Sequence, residues 1–244
     1  MLLTGTKSVF SKVQHRTAGV CPKKRGVVQY TKKQTPPPAG RKASVNLMAT
    51  LYYNGHGSLR ITTHSGTVLY LDPYAGSGYE PAADLVLITH EHYDHNALDK
   101  LTLAPNATVL RASDMLKNGQ YQCKEVLGVK IEATPAANQN HPVDQCVGFL
   151  LTVDGKTLYA AGDTSFVPYM QQVLSQRQID WAFLPCDGVY NMDLCEASRC
   201  AQLIGAVHTV PIHTMPGSLY SEQVASRFSA KGRVLLRPGE SIEL

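Results

Sequence analysis

The chain runs Leu85-Val-Leu-Ile-Thr-His90-Glu-His92-Tyr-Asp94-His95 at the point where an apolar segment meets three histidines and an aspartate. The apolar residues 85–88 are typical of a buried β-strand. His90 and His92 are two residues apart, so at the end of a strand their imidazoles project to the same side. A mixture of imidazole and carboxylate suits zinc, iron or manganese. This segment therefore predicts a metal site at a strand end, in preference to a solvated histidine-rich loop.

Charge is distributed unevenly along the 244 residues. Residues 1–47 contain ten Lys and Arg and no Asp or Glu, whereas residues 48–244 contain 13 basic and 19 acidic residues, a net charge of −6. The first segment also has few large apolar side chains and a Thr-Pro-Pro-Pro-Ala-Gly stretch at 35–40. Such a composition does not offset the entropy cost of ordering. We therefore expect residues 1–47 to be a basic, disordered extension and residues 48–244 to form one globular domain.

Three interpretations of residues 1–47 stay open: a segment that precedes a natural start at Met48, a targeting presequence, or a basic arm that contacts phosphates. The protein is expected in the cytoplasm, or in an organelle if the segment is a presequence. No apolar run approaches the roughly 20 residues of a membrane helix. The acidic globular part disfavours nucleic acid as a partner, so the expected partner is a small-molecule substrate. The sequence leaves the oligomeric state open.

Short apolar or alternating segments recur from Met48 onward, and Gly, Pro, Asn or Asp separate them, which predicts strands. Two pairs predict hairpins, residues 59–71 turning at Ser65-Gly66 and residues 148–161 turning at Asp154-Gly155. The second half alternates helices with strands, which indicates stacked layers with helices outside the sheets. The predicted helices are 168–175, 194–204 and 221–228, and the predicted strands around them are 181–184, 208–212 and 234–236.

The residues His90, His92, Asp94 and His95 form an H-x-H-x-D-H motif, and with it the chain resembles the metallo-β-lactamase-fold hydrolase superfamily. Further segments occur in the order used by the branch of ascorbate-6-phosphate lactonase-like proteins. The resemblance covers residues 48–244. The segments are Gly55-His56-Gly57-Ser58, Leu71-Asp72-Pro73-Tyr74, Asn140-His141-Pro142, Gly162-Asp163-Thr164 and Val210-Pro211-Ile212-His213.

The resemblance implies an α/β fold, a four-layer αββα sandwich with two divalent metal ions at the edge of its sheets. Zinc is the first choice of metal, with manganese and iron as alternatives. The implied ligands are His90, His92 and His141 for the first metal, Asp94, His95 and His213 for the second, and Asp163 as the bridge. The residue pattern agrees, because Asp163 and His213 each directly follow a predicted strand, whereas His208 begins a strand and is interpreted as structural.

Such a metal pair polarises an ester or phosphoryl oxygen and lowers the pKa of a bridging water, so that the bridging hydroxide is the nucleophile. Asp94 is then both a ligand and a catalytic residue that orients the hydroxide and accepts a proton. His56, between two glycines, is a second catalytic candidate. Asp72 is expected to accept the second N–H of a ligand histidine, and Tyr190 and Asn191 are expected to contact substrate.

The function implied by these features is metal-dependent hydrolysis of a small ester, lactone or phosphoester. The segment Asn96-Ala-Leu98 replaces the Gly-Gly found in glyoxalase II-like proteins, which disfavours that activity. His92 stands where the diiron oxygen-reducing branch has Glu. Two alternatives stay open: a non-catalytic metal-binding or sensor protein of the same fold, and a nucleic-acid-processing phosphodiesterase that uses residues 1–47 as an arm.

Overall fold

The computed structural model describes residues 48–244, and the expectations for residues 1–47, including a disordered basic extension, lie outside the described residues. The helices are α1 (Ala112–Met115), α2 (Pro168–Gln172), α3 (Leu194–Ile204) and α4 (Glu222–Ala225), with short 3-10 turns at Leu98–Lys100 and Leu174–Gln176. The strands are β1 (Thr50–Gly55), β2 (Ser58–Thr62), β3 (Val68–Leu71), β4 (Ala83–Ile88), β5 (Leu103–Arg111), β6 (Leu116–Lys117), β7 (Gln120–Tyr121), β8 (Cys123–Val126), β9 (Val129–Pro135), β10 (Val147–Val153), β11 (Lys156–Ala160), β12 (Trp181–Pro185), β13 (His208–Ile212) and β14 (Ser241–Glu243).

Within this part of the chain the strands form two six-stranded sheets and a small β6–β7 ribbon. The first sheet has the order β14-β1-β2-β3-β4-β5, and the second has the order β13-β12-β11-β10-β9-β8. Strands β3, β4 and β5 are parallel neighbours, as are β11, β12 and β13. Parallel neighbours present their carboxyl ends at one sheet edge, where ligand sites form.

Both predicted hairpins are confirmed. Strands β2 and β3 pair with Thr62 opposite Val68, and β10 and β11 pair with Val153 opposite Lys156. Asp154 and Gly155 have φ of 47° and 81°, as a two-residue hairpin turn of the right twist requires. Asp154 also accepts a hydrogen bond from the backbone N–H of His64 in the other hairpin, at 2.7 Å. The two turns are therefore joined across the sandwich.

The main hydrophobic core lies between the two sheets. It includes Leu51 and Ile61 of the first sheet and Phe149, Leu151 and Phe183 of the second, all of them fully buried. Side chains alternate between the faces of a strand, so the neighbouring Leu150 faces the opposite side of the second sheet and packs in a separate cluster. The second sheet is therefore apolar on both faces.

Helices α2 and α3 cover the outer face of the second sheet, where Met170 and Cys200 pack with Leu150. The outer face of the first sheet carries a smaller cluster around Tyr70 and Val86, against which Leu98 packs from the 3-10 turn that contains it. The predicted α/β sandwich is confirmed. In the part of the chain described here, its outer layer over the first sheet consists of loops and this single short turn.

Some predicted elements differ from the structure. The prediction of a strand at 234–236 is wrong, because Val234 donates one hydrogen bond to Thr209 and the chain then leaves the sheet to bury Leu236 in the core. The helix predicted at 221–228 is confined to α4. Strand β8 was not predicted from the sequence. It lies at the edge of the second sheet, and its segment Cys-Lys-Glu-Val has no apolar run that would indicate a strand. Among residues 48–244, no helix is long and apolar enough to cross a membrane.

Candidate metal centre

Loops at the carboxyl ends of parallel strands supply most of the predicted metal ligands. The segment 90–95 follows β4 of the first sheet, Asp163 follows β11 and His213 follows β13 of the second sheet. His141 lies in the loop between β9 and β10, and His56 in the turn between β1 and β2. The structure therefore brings groups from both sheets together at one edge of the sandwich.

Unusual backbone conformations direct several of these side chains. His56, Asp72 and His213 have positive φ values of 57°, 45° and 44°, and all three are buried. A non-glycine residue in this region costs about 1–3 kcal/mol and persists where the surroundings hold it. At Gly162, which has φ 63°, an added Cβ would lie 3.0 Å from the Thr89 side chain. Glycine thus lets Asp163 approach the segment that follows β4.

Acceptors beside the first-sheet histidines fix which ring nitrogen carries the proton. Asp72 lies 2.8 Å from Nδ1 of His95 and also accepts hydrogen bonds from the backbone N–H and the hydroxyl of Thr89. Because the Thr89 hydroxyl donates to Asp72, it accepts from Nδ1 of His90, at 3.0 Å. In the neutral form of both histidines Nδ1 therefore holds the proton and Nε2 presents its lone pair.

Polar partners also lie beside Nδ1 of two further ligand candidates. Nδ1 of His141 lies 2.8 Å from Oδ1 of Asn138, and Nδ1 of His213 lies 2.9 Å from Oδ2 of Asp187. An outer partner of this kind fixes the ring orientation of metal-binding histidines. Asp72 thus occupies the place beside a ligand candidate that the sequence predicts.

Distances between the inward-facing atoms match those of ligands that share a metal ion. Nε2 of His141 lies 3.2 Å from Nδ1 of His92 and 3.3 Å from Oδ2 of Asp163. Nε2 of His95 lies 3.3 Å from Oδ1 of Asp163, and Nε2 of His213 lies 3.5 Å from Oδ2 of the same carboxylate. Two ligands bound at 2.0–2.2 Å from one ion are roughly 3–3.5 Å apart.

The donor atoms divide into groups whose members all lie within 4.8 Å of one another. One group agrees with the first-metal set and another contains the second-metal set together with His56. The carboxylate of Asp163 joins a third group that links the two. The groups are His90, His92 and His141; His56, Asp94, His95 and His213; and His90, His95 and Asp163.

Unpartnered polar atoms provide a test of whether a metal fits this cluster. The Nε2 atoms of His90, His95 and His213 are buried and have no hydrogen-bond partner among residues 48–244. Leaving a buried nitrogen unpaired costs about 1–3 kcal/mol. A cation that accepts these lone pairs removes the cost, and the oxygen and nitrogen donors suit a borderline divalent ion. The residues therefore fit a metal ion.

Burial and mutual charge shift the pKa values of the cluster strongly. Burial, followed by the charge of His95, lowers the pKa of His90 to about 2. Burial opposes protonation of His95, but the carboxylates of Asp163 and Asp72 raise its pKa to about 9. For Asp163, burial is outweighed by His95 and His213, and its pKa falls to about 2. Burial raises the pKa of Asp94, but the contact with His56 and the charge of His95 together outweigh it and hold this pKa well below its usual range. The carboxylates are thus ionised and ready to bind a cation.

A cavity of about 540 Å³ opens onto this cluster. Asp94, Asp163 and Tyr190 are among the residues that line it. Asn191 lies behind the lining, where its amide donates to Asp187 and its oxygen accepts from Asn138. Of the two predicted substrate contacts, Tyr190 therefore lines the cavity. Asn191 instead forms hydrogen bonds that hold the loop carrying Tyr190.

Sequence reasoning missed Asp187. Its carboxylate contacts His213 and also accepts hydrogen bonds from the backbone N–H groups of Val189, Tyr190 and Asn191. These contacts hold its pKa well below the usual range, since together they outweigh burial. The available signal was a carboxylate at the end of the strand 181–184, in the position that Asp163 occupies after β11. Asn138 was missed as well, and nothing in its polar loop marked it.

Two facing mixed sheets with a buried His/Asp cluster at the carboxyl edge of their strands define a metal-binding α/β sandwich. Residues 50–213 match the family model described as a Beta-lactamase superfamily domain. A UPF0173 metal-dependent hydrolase of Geobacillus thermodenitrificans is 32% identical over 225 residues, which cover 79% of this chain and 98% of the relative. Another from Methanoculleus marisnigri is 31% identical over 220 residues, covering 80% and 96%.

The chain therefore belongs to the beta-lactamase superfamily and, within it, to the UPF0173 metal-dependent hydrolase family. A solved structure agrees in fold: a protein from Parabacteroides distasonis, named as a metal-dependent hydrolase, superposes with a TM-score of 0.64 at 26% identity. The match covers 79% of this chain and 94% of that protein. Membership of the lactonase-like branch stays a prediction.

Proposed function

We propose that this protein hydrolyses a small ester or lactone with two divalent metal ions held by the cluster described above. The observation that carries the proposal is the set of buried Nε2 atoms of His90, His95 and His213 near the Asp163 carboxylate, which have no hydrogen-bond partner in the described part of the chain. Relatives that bear the name of metal-dependent hydrolases support it. Zinc is the first choice of metal, with manganese and iron as alternatives. A cytoplasmic location belongs to the same proposal.

Residues of the chain have distinct roles in this reaction. When bound, a divalent pair polarises the scissile carbonyl or phosphoryl oxygen and lowers the pKa of a water toward neutrality. Asp94 lines the cavity and orients the attacking water, whose proton it accepts. His56 lies 3.2 Å from Asp94, so its ring faces the carboxylate that orients the water. Asp163 joins the two ligand groups and keeps them at a fixed separation.

The cavity lining favours an uncharged ester or lactone over a phosphoester. Within residues 48–244 no Lys or Arg lines the cavity, although phosphate sites characteristically use these cations. Tyr93 and Tyr190 also line it, and they are 71% and 51% exposed. Their rings offer apolar faces with a hydroxyl at one end, which suits an acyl chain or lactone ring. We assign Tyr190 as a substrate contact on this basis.

The test is hydrolysis by the full chain after complete removal of metal and after reloading with zinc, manganese or iron. The panel contains uncharged esters, lactones, phosphomonoesters and phosphodiesters, and released product is measured. We expect the metal-free protein to be inactive and the reloaded protein to favour esters or lactones. Equal lack of activity with and without metal across the panel would contradict the proposal. Tight binding of a panel compound without product would instead indicate the sensor alternative.

A further inference from the structure

His56 is held at the metal centre by contacts at both its backbone and its ring. Its backbone N–H donates to the carbonyl of Leu219 at 2.6 Å, and its carbonyl accepts from the N–H of His213 and the hydroxyl of Tyr53, each at 2.9 Å. The side chain is fully buried. The turn between β1 and β2 is therefore attached to the loop that follows β13, and the imidazole has little freedom to rotate.

The protonation pattern of the His56 ring follows from its surroundings. Nδ1 lies 2.9 Å from the carbonyl oxygen of Ser218. A carbonyl oxygen only accepts hydrogen bonds, so Nδ1 must carry a proton and donate it. In a neutral imidazole the other nitrogen, Nε2, then presents a lone pair. The same arrangement is found for His95, where Asp72 accepts the hydrogen bond from Nδ1.

The Nε2 atom of His56 faces an anion and two other ligand candidates. It lies 3.2 Å from Oδ2 of Asp94, and it belongs to the group of donor atoms formed with Asp94, His95 and His213. In the neutral ring the lone pair faces a carboxylate oxygen, which is repulsive unless a metal ion lies between the two atoms or the ring gains a second proton. The separation is that of two ligands on one ion bound at 2.0–2.2 Å.

We propose that Nε2 of His56 is a further ligand of the metal held by Asp94, His95 and His213. The proposal rests on the two-metal site of the proposed function and extends it beyond the seven ligands predicted from sequence. The second metal then has three imidazoles and two carboxylates, counting Asp163. This donor set selects a borderline transition-metal ion over magnesium or calcium, which prefer oxygen ligands.

The direct test counts the imidazoles on each metal in the intact protein. The full chain is loaded with ¹¹³Cd, and proton–cadmium scalar correlations identify the histidine rings bound to each ion. We expect two cadmium signals with three imidazoles each, one set being His56, His95 and His213. A second cadmium with only two imidazoles would overturn the proposal and leave His56 as a partner of Asp94 alone. Absence of any cadmium–imidazole correlation would overturn the proposed metal centre itself.

A variant provides an independent measurement. His56→Gln is expected to remove one imidazole from the second cadmium and to weaken zinc binding there by about 100-fold or more, measured by competition with a chelator. Loss of an outer partner alone typically costs 10–100-fold. His208→Gln is the matched control, because His208 stacks on Trp181 at the other end of β13. If both variants bind two zinc ions with wild-type affinity, the proposal is overturned.

Discussion

At the scale of single residues, the centre is built from histidines whose outer nitrogen is held by a second protein group. Asp72 holds His95, and Asp187 holds His213. Both partners are carboxyl groups buried inside the protein, so each fixes a ring and raises its basicity toward a metal. Metal affinity should therefore depend on side chains that do not themselves bind the ion.

Replacing Asp187 tests this dependence. In Asp187→Ala, His213 loses the carboxylate beside its Nδ1, and the N–H groups of 189–191 lose their acceptor. We expect the second metal to bind 10–100-fold more weakly and the amide hydrogens of residues 189–191 to exchange faster. Asp187→Asn keeps an acceptor oxygen and is the control, with an expected effect several-fold smaller. Equal metal affinity in the wild type and the alanine variant would contradict this role.

Asp163 tests the bridge between the two ligand groups. Asp163→Asn preserves size but removes the negative charge that faces His95, His141 and His213. We expect metal content, measured by mass spectrometry of purified protein, to fall from about two ions to one or fewer per chain. The control is Asp180→Asn, since Asp180 accepts from Thr157 at the start of β11, away from the cluster. Unchanged metal content in Asp163→Asn would count against a bridging role.

The H-x-H-x-D-H motif could be located from sequence because its four groups lie within a single stretch of six residues after one strand. Asp187 could not be located in this way, because it contacts His213 only when β12 lies beside β13. A carboxylate after a strand is common, and the sequence alone does not say which strand is its neighbour. Long-range pairing therefore limits what residue patterns reveal about the support of a site.

At the scale of elements, local chemistry explains the successes and long-range packing explains the failures. Asp154 and Gly155 suit the positive φ values of their turn, so this hairpin can be predicted from the local sequence alone. Residues 234–236 form a short apolar run of the kind seen in strands, yet within it only Val234 bonds to β13. Leu236 packs in the core, and an apolar run alone does not distinguish core packing from strand pairing.

Helix α3 provides a test at this scale. Its N-cap residue Asp193 accepts a hydrogen bond from the N–H of Glu196, and Gly205 ends the helix with φ 68°. Asp193→Ala is expected to lower the free energy of unfolding by about 1 kcal/mol, the usual effect of losing an N-cap. Urea unfolding followed by circular dichroism measures the change. Metal content should stay at the wild-type value, and a loss of metal would show that α3 and the centre are coupled.

At the scale of the whole molecule, buried phenols should make the fold sensitive to alkaline pH. Burial raises the pKa of Tyr53 and Tyr159 above 10 in the folded protein. Their contribution to stability is complete below pH 10 and is lost as the pH rises above it, by up to about 1.4 kcal/mol per pH unit and group. Absorbance at 295 nm should show a late tyrosinate phase that coincides with unfolding by circular dichroism. Full ionisation of all tyrosines in a still-folded protein would contradict this expectation.

The position of the centre makes a prediction for metal removal. Ligand candidates come from the first sheet through segment 90–95 and from the second through Asp163 and His213. A bound ion would therefore connect the two sheets, and it would stabilise the folded chain because the unfolded chain has no assembled site. With free metal at 1,000 times Kd, linkage gives about 4 kcal/mol per site.

We accordingly expect the chelated protein to unfold at a lower temperature than the metal-loaded protein, and Tm to rise with free metal concentration. Differential scanning calorimetry at several zinc concentrations measures both effects. Asp163→Asn should have a smaller chelator-induced shift, because it binds less metal. Asp180→Asn should respond as the wild type does. A Tm independent of metal in the wild type would mean that the ligand groups of the two sheets do not share an ion, and the two-metal proposal would fail even though the fold is unchanged.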